Sequence, residues 1–272
     1  MASAEHPREQ PARSDAPFFA ALSVLGGTYI LLIVAMLIAD ASFTSPAHLW
    51  QALASENIQY AIKLSLLSCS ITTILSLWVA VPLGYLLSRG DFPGKPLIDA
   101  ILDIPIVLPP LVVGLSLLIL FQTPPGKAIE RIVPVTYAVP SVILAQFAVA
   151  CAFAVRTMRV SFDQIPLRRE QVALTLGCSR SQAFWWVVLP EARRGIVTAA
   201  TLAWARALGE FGPILVFSGA TRMRTEVLPT TVFLELSVGN LQAAVAVSLL
   251  MVVAALIVLV IVRVYGMERS PV

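Results

Sequence analysis

Arg206 and Glu210 stand four residues apart inside Gly195 to Ser218, a stretch otherwise apolar and long enough to enter a lipid bilayer. Ionisable side chains at that depth cost several kcal/mol unless they are paired or hydrated, so they mark either a structural ion pair or a polar path. The spacing places both side chains on one helix face at salt-bridge distance. In the first reading the pair neutralises itself. In the second, Arg206 faces a translocation path, where its guanidinium attracts an anionic substrate while Glu210 sets its position. The two readings are compatible. Gly209, Gly212 and Pro213 permit a bend or a close helix approach beside the charges, as a gate requires. Arg206, Gly209, Glu210, Phe211 and Gly212 are therefore the candidate path and gate residues.

Other chemistry is missing from the chain. No G-x-x-x-x-G-K-[ST] phosphate loop occurs, because the Gly-Lys pairs at Gly94-Lys95 and Gly126-Lys127 lack the following Ser or Thr and the upstream glycine. The two histidines, His6 and His48, lie far apart, and no His, Cys and carboxylate group has metal-ligand spacing. Cys69, Cys151 and Cys178 are scattered, the first two within apolar runs, and read as buried small residues rather than a disulfide framework. No catalytic residue, metal or cofactor is expected in this chain, and an enzyme embedded in the membrane is disfavoured.

The elements that must position Arg206 and Glu210 follow from composition. Of 272 residues 58% are apolar and 13% charged, too apolar for an ordinary water-soluble domain, and a net charge of +3 gives no reason to invoke nucleic acid. Six segments are long enough to span: Phe18 to Ala39, Leu64 to Leu87, Ile98 to Phe121, Ile132 to Val155, Gly195 to Ser218 and Leu236 to Val262. The third contains Asp99, Asp103, Pro105, Pro109 and Pro110, so its first turns must be broken or kinked. The fold class expected is an all-α integral membrane protein with about six transmembrane helices.

Lys and Arg concentrate on one side. With the N-terminus inside, cytoplasmic segments collect Arg8, Arg13, Arg89, Lys95, the arginines from Arg156 to Arg194, Arg263 and Arg269, against Lys127, Arg131, Arg222 and Arg224 outside. Both termini are expected in the cytoplasm. Residues 1–17 read as a disordered cytoplasmic tail, 18–265 as the transmembrane domain and 266–272 as a second tail. A cleaved signal peptide is the competing reading of the start, but its apolar region would be shorter than Phe18 to Ala39.

The cytoplasmic connection at 157–193 is patterned. Pro166 is placed to begin a helix running through Leu176, Gly177 suits a C-terminal cap, and Ser179 suits the N-cap of a second short helix that Pro190 stops. Val172, Leu174, Leu176, Phe184, Trp185 and Val188 offer apolar surface among arginines, which suits either the membrane surface or a partner's groove.

Gln171-Val172-Ala173, Gly177 four residues later and Val187-Val188-Leu189-Pro190 beginning ten residues after the glycine resemble the EAA loop of ABC importer permeases, with its E-A-A, G and I-x-L-P at that spacing. Gln171 stands where the family usually has Glu, Val172 replaces the first Ala, and Glu170 lies one position early. The resemblance implies a coupling helix seated in a cleft of a cytoplasmic ATPase subunit, with Glu170, Gln171, Ala173, Gly177, Ser179, Leu189 and Pro190 as coupling residues. Ala205 to Gly212, Ala-Arg-Ala-Leu-Gly-Glu-Phe-Gly, is similar to the signature of the molybdate, tungstate and sulfate permease group, and Thr225 to Pro229 fits the same group. That resemblance implies a type I importer fold and a homodimer in the cell inner membrane. It also implies two ATPase subunits holding ATP and magnesium, and an external or periplasmic binding protein delivering a tetrahedral oxyanion. Molybdate or tungstate is the first expectation, and sulfate, thiosulfate or another small solute the alternative. A secondary transporter or channel is the reading from a different class. It lacks support because no internal repeat is visible and the EAA-like loop has no role in it.

Overall fold

The computed structural model describes residues 15–267, and among these every regular element is helical. The expectations for residues 1–14 and 268–272 fall outside the described residues. Helix α1, Ala16–Phe43, belongs to a first unit that ends at Ser45. It starts at a proline in its first turn and is apolar all round except at Asp40 in its last turn, with Thr28 and Ser42 returning their hydroxyls to the carbonyls of Val24 and Ala39. That self-satisfaction is what a helix bathed in lipid requires.

The second unit begins at Pro46. Its helices are α2 (Pro46–Ala54), α3 (Glu56–Arg89), α4 (Lys95–Val107), α5 (Pro110–Gln122), α6 (Pro124–Ile132) and α7 (Val139–Asp163). The coupling segment follows as α8 (Leu167–Thr175), α9 (Arg180–Ala183), a π-helical turn (Phe184–Val188) and α10 (Leu189–Glu191). Then come α11 (Arg193–Leu208), α12 (Gly212–Phe217), α13 (Leu228–Ser237) and α14 (Leu241–Met267).

Small residues decide the packing. On α3 a buried seam of Ser65, Ser68, Cys69, Thr72, Ser76, Ala80 and Gly84 lies against α7, and Ala199, Ala203 and Ala207 of α11 close the trio. Without a hydrophobic drive between helices in lipid, such residues bring backbones near enough for dispersion and interhelical hydrogen bonds to act. At Gly84 a Cβ would sit 2.8 Å from the Cβ of Met158. A second core gathers Leu64, Phe121, Val142, Ile214 and Phe217.

Four described helices, α1, α3, α7 and α14, are long and apolar enough to cross a membrane, and α4 with α5 forms a pair bent by 112° that counts as a fifth crossing if taken as one span. The bend answers the proline-rich sequence: Leu108 and Pro109 take extended ψ values of 141° and 133° because each precedes a proline. The expected Gly195 to Ser218 span is divided into α11 and α12, and neither half is long enough alone.

Two more spans differ in their limits. α7 starts at Val139 rather than Ile132, since α6 and a turn at Tyr137 (φ 58°) occupy the intervening residues, and it continues to Asp163. Arg156 and Arg159, read as the start of a loop, are thus helical. They pair across to α4: Arg159 Nη1 lies 2.5 Å from both Asp99 oxygens, and Arg156 binds Asp103 and stands 3.2 Å from Asp99. Leu236 to Val262 is likewise shared, because α13 ends at Ser237 and Gly239, with φ 77°, turns the chain into α14.

Candidate functional site

The coupling segment is built by local caps. α8 ends at Gly177, whose φ of 92° lets Cys178 N–H bond the Ala173 carbonyl (3.1 Å) and Gly177 N–H the Leu174 carbonyl (3.1 Å). These two bonds satisfy the helix's last carbonyls, and the left-handed residue between them favours glycine. Ser179 then opens α9 with a reciprocal cap: its Oγ accepts from Gln182 N–H (3.3 Å), and Gln182 Oε1 accepts from Ser179 N–H (2.8 Å).

Pro190 does not stop this second helix. The chain widens into the π-helical turn, with Leu189 N–H donating to the Phe184 carbonyl, and stays helical through Glu191. A proline clashes with the carbonyl four residues back and brings no N–H, and the wide turn before Pro190 relieves both conflicts. Leu189 is half-buried and Pro190 exposed.

The acid of the loop turns inward. Glu170 and Ala173 are buried on α8, whereas Gln171 is exposed. Glu170 Oε1 accepts a 2.6 Å hydrogen bond from the Tyr85 hydroxyl, and its Oε2 lies 3.5 Å from Arg89 Nε in a charge contact not aligned as a hydrogen bond. Arg89 also donates to the Ile165 carbonyl at 2.7 Å. The carboxylate one position before Gln171 therefore clamps the loop to the last turn of α3. Tyr85 packs edge-on to Phe162 and Phe184 at centroid separations of 5.6 and 4.8 Å, and Arg169 pairs with Glu191 across the loop. The clamp residues on α3 escaped sequence reasoning, although a Tyr and an Arg one turn apart at the end of a span were a usable signal.

At the second site, Arg206 Nη1 and Glu210 Oε2 are 2.7 Å apart, so the i,i+4 pair forms. The two ends differ: the Glu210 side chain is 1% exposed, and that of Arg206 29%. Arg206 also lies over the Phe153 ring, 5.7 Å from its centroid, a cation–π contact. The chain leaves the helix at Gly209 and re-enters it at Gly212, so the pair ties the last turn of α11 to Glu210 within the break before α12. Gln146 on α7 fixes the last turn of α11, donating to the Ala207 carbonyl at 3.2 Å while its own Oε1 accepts from Thr72 at 3.2 Å.

The two interrupted spans meet at their breaks. A Cβ on Gly212 would lie 2.9 Å from Pro110 Cβ and 3.0 Å from Leu111 N, and one on Gly114 would lie 2.7 Å from Pro213 Cα. These reciprocal contacts leave no room for a side chain. Gly209 is different: its φ is −82° and only carbonyl oxygens lie near, at 3.7 and 4.0 Å. Phe211 stacks obliquely on Phe233 of α13, centroids 5.5 Å apart. The sequence placed Arg206, Gly209, Glu210, Phe211 and Gly212 together but gave no sign of Gln146, or of Pro110 and Gly114 as the opposing surface.

On the far side of the break, Glu226 is fully buried in the connection before α13, where it accepts from Thr231 Oγ1 at 3.0 Å, and burial pushes its carboxyl above the usual carboxylate range.

Comparison with known proteins places these two sites in context. Residues 80–266 match the family model described as "Binding-protein-dependent transport system inner membrane component", and the chain belongs to that family. It is a permease subunit of an ABC importer, a multi-pass inner-membrane protein with the type I importer fold. It is 31% identical over 233 residues to the sulfate transport system permease protein CysT of Escherichia coli, covering 85% of this chain and 84% of that one. It is 35% identical over 238 residues to a probable molybdenum ABC transporter permease of Haloferax volcanii, covering 88% and 85%. Against the molybdenum transport system permease ModB of Mycobacterium tuberculosis the identity is 32% over 250 residues, covering 90% and 94%. Among solved structures, a chain of a bacterial alginate ABC transporter in complex with an alginate pentasaccharide-bound periplasmic protein superposes with a TM-score of 0.75 at 16% identity, covering 93% of this chain and 95% of that one. A chain of the MetNI methionine transporter, in inward-facing form, gives 0.61 at 19% identity, covering 78% and 97%. At such identities these two establish the fold alone.

Proposed function

We propose that this permease carries a tetrahedral oxyanion, molybdate or tungstate, by ATP-driven alternating access. The observation that supports it most directly is the asymmetric charge pair at the meeting of the two broken spans. Glu210 is sealed in the protein, and the Arg206 side chain stays partly accessible beside it. A partly exposed cation held by a buried carboxylate attracts a passing anion without binding it tightly enough to trap it. The relatives named for molybdenum or molybdate and tungstate add weight, the Pyrococcus abyssi permease being 38% identical over 156 residues. Sulfate is the second reading, favoured by the similarity to CysT over most of both chains.

In this scheme two copies of the chain enclose the path, with both termini cytoplasmic. An external binding protein delivers the ion, and two ATPase subunits holding ATP and magnesium dock on the coupling segment at 157–193. Glu170, Gln171, Ala173, Gly177, Ser179, Leu189 and Pro190 shape that segment. Closure of the ATPases moves α8, Glu170 draws the end of α3 with it through Tyr85 and Arg89, and the contact of Pro110 and Gly114 with Gly212 and Pro213 opens. Binding energy at the cytoplasmic end thereby biases an equilibrium between two states of the path.

The test is uptake by liposomes containing this chain with its ATPase and binding protein, offered molybdate, tungstate and sulfate with and without ATP. ATP-dependent accumulation of molybdate or tungstate in preference to sulfate is expected. Preference for sulfate would support the second reading, and uptake by this chain alone would overturn the importer mechanism.

A further inference from the structure

Two clefts meet on the surface between the end of α3 and the coupling segment. One, of 510 Å³, is apolar and lies along Ile74, Leu77, Trp78, Trp185 and Ile196. The other, of 590 Å³, opens among Tyr85, Arg89, Arg180 and Ser181. Both are bounded by Pro82 and Phe184, so they form one trough with an apolar half and a polar half in which Arg89, Glu170 and Arg180 interrupt a mostly apolar wall. Trp78 is 79% exposed and Trp185 60%, although both belong to a chain whose surroundings are lipid.

Charge in the polar half is unbalanced. Glu170 is occupied by Tyr85 and Arg89, whereas Arg180 has no carboxylate partner among the described residues. Length fits as well. From Arg89 to Trp78 is eleven residues of helix, roughly 16 Å at 1.5 Å per residue, comparable with one leaflet of a hydrocarbon core about 30 Å thick. An apolar wall of that depth beside Trp78, with an arginine at the end nearer Arg89, suits one acyl chain below an anionic headgroup.

We propose that this trough holds one anionic phospholipid, its acyl chain between Trp78 and Trp185 and its phosphate on Arg180. The lipid then wedges between α3 and the π-helical turn and couples the loop's position to the charge of the bilayer. The inference needs only that the chain spans a membrane, not that it carries any particular ion.

The experiment is native mass spectrometry of the assembled transporter in detergent, titrated with phosphatidylglycerol or phosphatidylcholine of identical chains. One arginine at an anionic headgroup predicts about a fivefold preference for phosphatidylglycerol. Arg180→Gln is expected to reduce retention to the phosphatidylcholine level, and Ile74→Trp, which fills the apolar half from an exposed position, to lower retention of both lipids. Equal retention of the two lipids by the unaltered protein, or an undiminished preference in Arg180→Gln, would overturn the proposal. So would displacement of the lipid by inorganic phosphate at equal concentration, which would assign the polar half to a free anion. A changed oligomeric state in Trp78→Ala with lipid retention intact would assign the surface to a second copy of the chain. Because lipid retention is read without transport, these failures are distinct from failure of the oxyanion reading.

Discussion

Gly177 offers a test in which two physical causes predict different orders of damage. Its φ of 92° is a conformation that costs an L-residue about 1–2 kcal/mol, and no atom lies within 4 Å of the place a Cβ would occupy. Bulk alone is therefore not the constraint; the backbone is. Asn, whose short side chain tolerates the left-handed region, is expected to lose little, Ala about 1 kcal/mol, and β-branched Val the most. A penalty of 1–2 kcal/mol multiplies the population of the opened turn about five- to thirtyfold. Cys178 N–H then loses the Ala173 carbonyl, and α9 loses its fixed angle to α8. The assay is ATP-driven uptake together with co-purification of the ATPase, with membrane insertion as the control. Activity falling in the order Gly, Asn, Ala, Val with insertion unchanged is expected. If Asn failed as completely as Val, side-chain bulk against a partner would be the cause and the backbone argument would be refuted. Normal coupled uptake by Gly177→Val would refute both.

Three further outcomes are expected. Glu170→Ala strands Arg89 beside the Tyr85 hydroxyl and should lower thermal stability by roughly 2–3 kcal/mol, whereas Gln171→Ala, at an exposed position, should change stability by less than about 0.5 kcal/mol; equal losses on thermal unfolding would contradict the inward placement of the acid. Gly114→Ala must push against the Pro213 backbone and should cost about 1–3 kcal/mol, while Gly209→Ala should be tolerated; the reverse order in a stability assay would disprove the break-to-break contact. Glu226 has a raised carboxyl pKa in the folded protein, so its ionisation opposes folding, a cost absent below the unfolded value of about 4.3 and growing as pH rises toward the folded value. Glu226→Gln keeps an acceptor for Thr231 and should be more stable than the parent at neutral pH but not at pH 4, and a gain that did not depend on pH would count against the assignment.

Local signals carried much of the site. A glycine that must cap a helix and a serine with Gln182 three residues on are written in neighbouring residues, so α8, Gly177 and Ser179 were legible. The i,i+4 spacing of Arg206 and Glu210 likewise settled their pairing without knowledge of the fold. What failed depended on partners distant in sequence. Charge by itself marks Arg156 and Arg159 as the end of a span, and only their contact with Asp99 and Asp103 on α4 makes it tolerable to extend α7 through them. Glu170 looked misplaced against the motif because Tyr85 and Arg89, which receive it, lie eighty or more residues earlier. Pro190 looked like a terminator because periodicity of 3.6 does not anticipate a wider turn ahead of it.

That wider turn also sets a phase. In an α-helix each residue advances the face by about 100°, so the residue accommodated in Phe184–Val188 rotates everything before it relative to everything after by about that angle. The chain stays almost continuously helical from Arg180 into α11, yet the face on which Ala183 is buried and the face on which Ala199 and Ala203 are buried belong to different registers. The coupling segment and the bundle thus draw their buried residues from different faces of one nearly continuous helical run.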